Sequence, residues 1–124
     1  MSGVQASGQK ISYSQQKLLQ RRESFFSQVG INSGVKTEAI SDAYDSYMDD
    51  WQKGEAVSPR QEAWRSGKSL KDLSAEYETK ANDPNLTEEE RALFAAKAVR
   101  ALESRQDILR KTQAFFKQYM QGWG

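Results

Sequence analysis

The sequence predicts an all-α protein, a small bundle of about four to five helices organised on one long C-terminal amphipathic helix. Two observations support this fold class: apolar residues recur at alternating steps of three and four, and helix-capping residues precede these segments. No segment shows the alternation of apolar and polar residues that is typical of a β-strand. A length of 124 residues suits one domain. We expect residues 12–124 to form this domain and residues 1–11 to be a flexible lead rich in Ser, Gly and Gln.

The first helix is predicted over residues 13–29. Ser12 and Gln15 have the spacing of a capping box, and Gly30 is a residue type that commonly ends a helix. The apolar face of this helix comprises Leu18, Leu19, Phe25, Phe26 and Val29.

The second predicted helix, residues 37–52, has Thr37 as its cap and shows a clear division into two faces. One face collects Ile40, Ala43, Tyr44, Tyr47, Met48 and Trp51. The opposite face is an acidic stripe formed by Glu38, Asp42, Asp45 and Asp49. We interpret the stripe as a solvated face, or as ion-pair partners for Arg21, Arg22 and the basic C-terminal helix. A divalent cation is the alternative, but a straight helical row of carboxylates converges poorly on one ion and no EF-hand loop accompanies it.

Two short helices are predicted next. Ser58 as cap, Pro59 at the first helical position and Gln61 at the third predict a helix that ends at Gly67. Ser69 caps the fourth helix, whose apolar row is Leu70, Leu73, Tyr77 and Ala81. Residues 82–85, Asn-Asp-Pro-Asn, then break the chain. At these helical spacings Trp51 and Trp64 are expected in the core.

The long helix is predicted over residues 87–122. Thr87 and Glu90 form a capping box, and two neighbouring apolar rows follow. The first row is Ala92, Ala95, Val99, Leu102, Leu109, Phe116 and Met120, with Gln106 and Gln113 at its two polar positions. The second row is Phe94, Ala98, Ala101, Ile108, Phe115 and Tyr119. Such a helix is about 50 Å long, whereas a compact chain of this size is about 35 Å across. The helix must therefore kink, project from the bundle, or pack on a second molecule.

The amino-acid composition limits the kinds of catalytic and metal-binding chemistry that the chain can support. The chain has no Cys and no His, which excludes disulfides, thiolate nucleophiles, imidazole bases and ordinary zinc or haem ligand sets. We therefore expect a non-enzymatic protein with no catalytic residues, no cofactor and no metal site. An enzyme built on carboxylates and a metal is the less favoured reading.

Charge is distributed unevenly along the chain. Residues 1–37 carry five basic and one acidic side chain, residues 38–90 six and fourteen, and residues 91–124 seven and two, giving +4, −8 and +5. We predict a protein partner or a homo-oligomer that binds the exposed part of the long helix through Ile108, Phe115, Tyr119, Trp123, Arg110 and Lys111. An anionic membrane surface is the first alternative. Nucleic acid is the second, disfavoured by the acidic middle and by the absence of a nucleic-acid-binding motif.

The N-terminus lacks the apolar core of a Sec signal peptide, and no apolar run is long enough to span a bilayer. We expect a cytoplasmic protein or one exported without a cleaved signal, such as a small effector or a component of a virion or secretion system. A hairpin hinged at residues 82–85 with a long C-terminal helix resembles the needle and rod subunits of type III secretion systems. The long preceding helices and the Gly-Trp-Gly end depart from that pattern, and the chain is not assigned to that family.

Overall fold

The structure, a computed structural model, describes residues 12–122. It consists of five helices: α1 (Tyr13–Ser33), α2 (Thr37–Gln52), α3 (Pro59–Ser66), α4 (Leu70–Ala81) and α5 (Glu88–Gln121). No strand occurs among the described residues, so the predicted all-α bundle is confirmed. The predicted lead at residues 1–11 and the predicted partner-binding residue Trp123 lie outside the described residues.

The capping signals read from the sequence are present as hydrogen bonds. Ser12, Ser58 and Thr87 each accept a bond from the backbone N–H three residues on, and the Gln or Glu side chain at that position accepts from the backbone N–H of the cap. Ser69 accepts from the N–H of Asp72 at 3.1 Å. Each bond satisfies a backbone donor that the helix itself leaves unpaired.

The predicted end of α1 and the predicted cap of α2 were wrong. Gly30 lies inside α1, which continues for three more residues to Ser33 and ends at Gly34 with φ 77°. A Cβ atom on Gly30 would lie 3.2 Å from both Thr37 Cγ2 and the Val35 carbonyl oxygen. Gly30 therefore permits the start of α2 to pass close to α1, rather than ending the helix. Thr37 is the first helical residue of α2 and makes no capping bond, since Lys36 occupies the cap position.

The first half of α5 is the centre of the bundle. Ala95, Ala96, Ala98, Val99 and Ala101 are fully buried although they point to different sides of the helix. Small side chains on several sides let α1, α2, α3 and α4 all approach this helix. The surrounding helices contribute the larger core residues Val29, Ile40, Tyr44, Leu73 and Tyr77.

Neither Trp51 nor Trp64 lies in the core, so that expectation was wrong. Trp64 is 87% exposed and Trp51 is 38% exposed. Helix α3 has only eight residues and contacts the bundle through Pro59 and Ala63, which leaves the neighbouring Trp64 on its outer side. The hydrophobicity of Trp indicates burial, but a two-turn helix has only one face in contact.

Helix α5 projects beyond the bundle as one continuous helix of 34 residues. Arg91 Nε donates to the carbonyl of Ala81 at 2.7 Å, and the rings of Tyr77 and Phe94 lie 6.2 Å apart. This antiparallel register places the start of α4 level with about Ala101, at the rise of about 1.5 Å per residue shared by both helices. Every residue from 109 to 122 is exposed. Of the three outcomes considered for the long helix, projection is the one observed.

Candidate functional site

The exposed end of α5, residues 109–121, is called the tail. Seen down the axis at about 100° per residue, its large apolar side chains and Ile108 fall within an arc of about 140°. We call this surface the tail stripe; it consists of Ile108, Leu109, Phe115, Phe116, Tyr119 and Met120. Apart from Ile108, which is half-buried, its members are between 45% and 66% exposed.

Three aromatic rings of the tail stripe pack against one another. Phe115 contacts Phe116 edge to face with ring centroids 6.0 Å apart, and stacks on Tyr119 at 6.4 Å. Such contacts limit the rotamers that exposed rings sample, so less conformational freedom is lost when the surface is covered. Aromatic side chains are also the ones that most often dominate protein–protein binding energy.

Basic side chains lie on both sides of the tail stripe. Lys111 lies about 40° from Phe115 on one side, while Arg110 and Lys117 lie beyond Met120 on the other. Residues 108–122 contain these three basic residues and no acidic one. The tail is therefore an amphipathic helix whose complement is an apolar surface bordered by negative charge.

The structure places the predicted partner-binding residues as follows. Phe115, Tyr119, Arg110 and Lys111 are exposed on the tail, and Ile108 lies half-buried at its start. Sequence reasoning assigned Phe116 and Met120 to a helix seam and did not include them in the partner surface, yet they are exposed beside Phe115 and Tyr119. The two predicted rows merge into one surface here because no other helix separates them.

The tail stripe is uncovered because its neighbour ends. In the first half of α5, the corresponding side of the helix carries Phe94, Ala98 and Ala101, which pack against the bundle. Helix α4 begins at about the level of Ala101 and covers nothing beyond it. The apolar arc then continues along α5 without a covering helix from this chain among the described residues.

No protein-family model, curated protein or solved structure matches this chain significantly. None of the helices in the described part combines the length and the apolar character that a bilayer crossing requires.

A buried carboxylate at the base of the tail fixes the direction of α5. The side chain of Glu103 is 1% exposed. Its Oε2 accepts a hydrogen bond from Arg22 Nε at 2.9 Å, and its Oε1 accepts one from the Tyr44 hydroxyl at 2.5 Å. Arg21 and Arg100 approach the same carboxylate at 3.8 and 3.5 Å. Because these partners come from α1, α2 and α5, the cluster joins three helices nearly two turns before the tail begins.

The same cluster changes the proton affinities of its members. Burial alone would lower the pKa of Arg22, but its hydrogen bond to Glu103 and the charge of that carboxylate raise the pKa above the usual value. Burial, followed by the hydrogen bond to Glu103, raises the pKa of Tyr44 to about 12. Arg22 also lies 4.7 Å from the centre of the Tyr44 ring. The Glu103 side chain is therefore an acceptor surrounded by donors, an arrangement that suits a structural joint.

Lys97 occupies an aromatic environment on another side of α5. Its Nζ lies 5.8, 5.9 and 5.4 Å from the ring centres of Tyr47, Tyr77 and Phe94. Burial lowers the pKa of Lys97. These cation–π contacts hold α2, α4 and α5 together around a charged side chain.

The acidic stripe of α2 lies on the outer face of that helix. Glu38, Asp42, Asp45 and Asp49 are all exposed. Asp49 pairs at 2.9 Å with Lys53, the residue that follows the last helical residue of α2. Of the two interpretations, the salt bridges among residues 12–122 do not include pairing of the stripe with Arg21 and Arg22: Arg22 pairs with Glu103 of α5, and Arg21 with Asp107 of α5 at 2.9 Å. Within residues 12–122, no cluster of side chains is arranged to hold a metal ion.

Proposed function

We propose that the protein is a non-catalytic protein-binding module whose working surface is the tail stripe of α5. The observation that carries this proposal is the helix of 34 residues whose last third is exposed and bears large apolar side chains on one side. Taking about 200 Å² for a large apolar side chain, the exposed portions of its five most exposed members amount to about 550 Å². This is near the upper end of the largest apolar patch on an ordinary monomer, about 300–600 Å².

The chemistry of the tail specifies the kind of partner. Lys111 on one side and Arg110 with Lys117 on the other favour a partner surface in which an apolar groove is bordered by carboxylates. The tail is presented by a helix that is already formed and joined to the bundle through Glu103. The recognition mode is thus an amphipathic helix that binds in a groove of the partner. The helix contacts the groove through side chains spaced three, four and seven residues apart.

The experiment is site-specific photo-cross-linking in cells of the organism that makes the protein. A photoreactive phenylalanine analogue replaces Phe116 in one version of the chain and Trp64 in a control version. Both positions are aromatic and more than half exposed, but Trp64 lies on α3, away from the tail. We expect a discrete protein adduct from position 116 and none of the same mass from position 64. The same adduct from both positions, or no protein adduct from position 116, would overturn the proposal.

Membrane-surface binding is the second candidate, and the basic residues on both sides of the tail stripe favour it. An amphipathic helix with aromatic residues on one face and Arg or Lys beside them is typical of helices that lie in the lipid headgroup region. Co-sedimentation with vesicles that contain anionic lipid, compared with neutral vesicles, separates the two candidates. A protein-binding module stays in the supernatant with both kinds of vesicle. Pelleting with anionic vesicles that is lost in Lys111→Glu/Lys117→Glu would instead support membrane binding.

A further inference from the structure

A second surface, which we call the acidic groove, lies between α2 and the first turns of α5. It is an open groove with a volume of about 620 Å³. Small and medium-sized apolar side chains line it: Ala39, Ala43, Ala92 and Leu93. Five carboxylates lie along it, namely Asp42, Asp50, Glu88, Glu89 and Glu90. None of these five forms a salt bridge with any residue between 12 and 122.

The acidic groove and the tail have complementary apolar and charged side chains. Alanine side chains leave room into which rings such as Phe115 and Phe116 can insert. The five carboxylates of the groove match the three basic residues that flank the tail stripe. An apolar surface bordered by negative charge is also the partner chemistry inferred above from the tail alone.

The tail and the groove of one molecule cannot meet. Both include part of the rigid helix α5, in which Glu90 is separated from Lys117 by 27 residues of continuous helix. At about 1.5 Å per residue this separation is about 40 Å. The complementary surfaces can therefore come together only between different molecules.

We propose that the tail stripe of one copy docks in the acidic groove of another copy, so that the protein assembles head to tail. This inference rests on the proposed function and names the partner of the tail as a second copy of the chain. Because the two contacting surfaces differ, each added copy leaves one tail and one groove unoccupied, and assembly continues as an open filament unless the geometry closes a ring. A symmetric contact between two tails would instead bring Lys111 and Lys117 of both copies together, and like charges oppose that arrangement.

The size of the tail stripe bounds the strength of this contact. Its exposed area of about 550 Å² is below the roughly 800 Å² per partner of a standard stable interface. Assembly is therefore concentration-dependent, and added salt weakens it because the flanking charges are exposed.

The test uses two full-length variants that each lose one of the two surfaces. The tail variant is Phe115→Ser/Phe116→Ser, and the groove variant is Asp42→Lys/Glu89→Lys. All four side chains are exposed, so circular dichroism and melting should show the same fold in both variants. Light scattering after size exclusion, over a dilution series, measures the molar mass. Trp64→Ser, a change of an exposed aromatic on α3, is the control and should assemble as the unchanged chain does.

The expected results distinguish head-to-tail assembly from any symmetric dimer. The unchanged chain should exceed 14.1 kDa at high concentration, whereas each variant alone should remain a monomer. An equimolar mixture of the two variants should form a species of twice the monomer mass and nothing larger, because the mixture contains only one intact tail and one intact groove per pair. Adding Lys111→Glu/Lys117→Glu to the groove variant should restore assembly by reversing both charges.

Three outcomes would overturn the inference: a groove variant that assembles like the unchanged chain, a mixture of variants that stays monomeric, or an unchanged chain that is monomeric at every concentration. The proposed function is judged separately by the cross-link from position 116. An adduct with a different protein from that position would support the proposed function, while the molar masses of the variants decide self-assembly independently.

Discussion

Replacing Glu103 by Gln tests whether the buried carboxylate is the joint between α1, α2 and α5. The substitution keeps the shape and an acceptor oxygen for Tyr44, but it removes the negative charge that faces three arginines. Removing one partner of a buried ion pair typically destabilises a protein by about 3–5 kcal/mol. Because the amide oxygen can still accept a hydrogen bond, we expect the lower end, about 3 kcal/mol.

This free-energy change converts into a measurable melting shift. With an unfolding entropy of about 2.1 cal/mol/K per residue, a chain of this length loses about 4 °C for each kcal/mol, so Glu103→Gln should lower the melting temperature by about 11 °C. The matched control is Asp107→Asn. Asp107 is also an α5 carboxylate paired with Arg21, but its side chain is 38% exposed. A partly exposed pair contributes less than about 1 kcal/mol, so the control should melt within about 4 °C of the unchanged chain.

Urea denaturation of both variants checks the thermal result at one temperature. A double-mutant cycle of Glu103→Gln with Tyr44→Phe measures the coupling across the 2.5 Å hydrogen bond. If Glu103→Gln is no more destabilising than Asp107→Asn, the interpretation of the cluster as a structural joint is refuted.

Three further predictions follow from the structure. Gly30→Ala should lower the free energy of unfolding, measured in urea, by about 1 kcal/mol, although Ala favours helices. The reason is that the new Cβ would lie 3.2 Å from the backbone of the loop that leads into α2. A stabilised variant would contradict this prediction. Burial raises the pKa values of Tyr44 and Tyr77 from 10.0 to about 12, so the folded state keeps protons that the unfolded state releases. The stability they contribute is present below about pH 10 and is lost as the pH rises from 10 towards 12. Urea titrations in this range should show the free energy of unfolding decline with pH, and Tyr44→Phe should make that decline smaller. The same slope of free energy against pH in Tyr44→Phe as in the unchanged chain would refute this. Phe116→Ser should change the stability of the monomer by less than about 0.5 kcal/mol, since the ring is mostly exposed; a larger loss would mean that the tail packs on its own bundle.

Local signals in the sequence predicted most of the helices because capping is a local interaction. Ser12, Ser58, Ser69 and Thr87 mark helix starts through bonds that span three residues, which the sequence displays directly. The end of α1 was not predictable in the same way. Gly30 is typical of a helix end, but its actual role depends on how closely α2 approaches, and this is a tertiary property.

The Glu103 cluster shows what sequence reasoning missed and which signal was present. Glu103 counted only as one acidic residue in a basic segment, because charged side chains are usually exposed. It nevertheless follows Ala92, Ala96 and Val99 at helical spacing, and all three are buried. A single carboxylate that continues an apolar row is compatible with a surface position. In a chain with arginines on another amphipathic helix, it is equally compatible with a buried ion pair. The identity of its partners, however, depends on the antiparallel pairing of α1 and α5.

The continuity of α5 from the core to the tip means that the tail does not need to fold by itself. A separate helix of 13 residues is marginal in water, since forming the first turn carries a nucleation constant of about 10⁻³, or about 4 kcal/mol. The tail avoids this step because its first turn continues a helix that is already held in the bundle. Amide hydrogen exchange should therefore show a smooth gradient along residues 108–121, slow near the Glu103 joint and faster towards the tip, as turns fray one after another from the end.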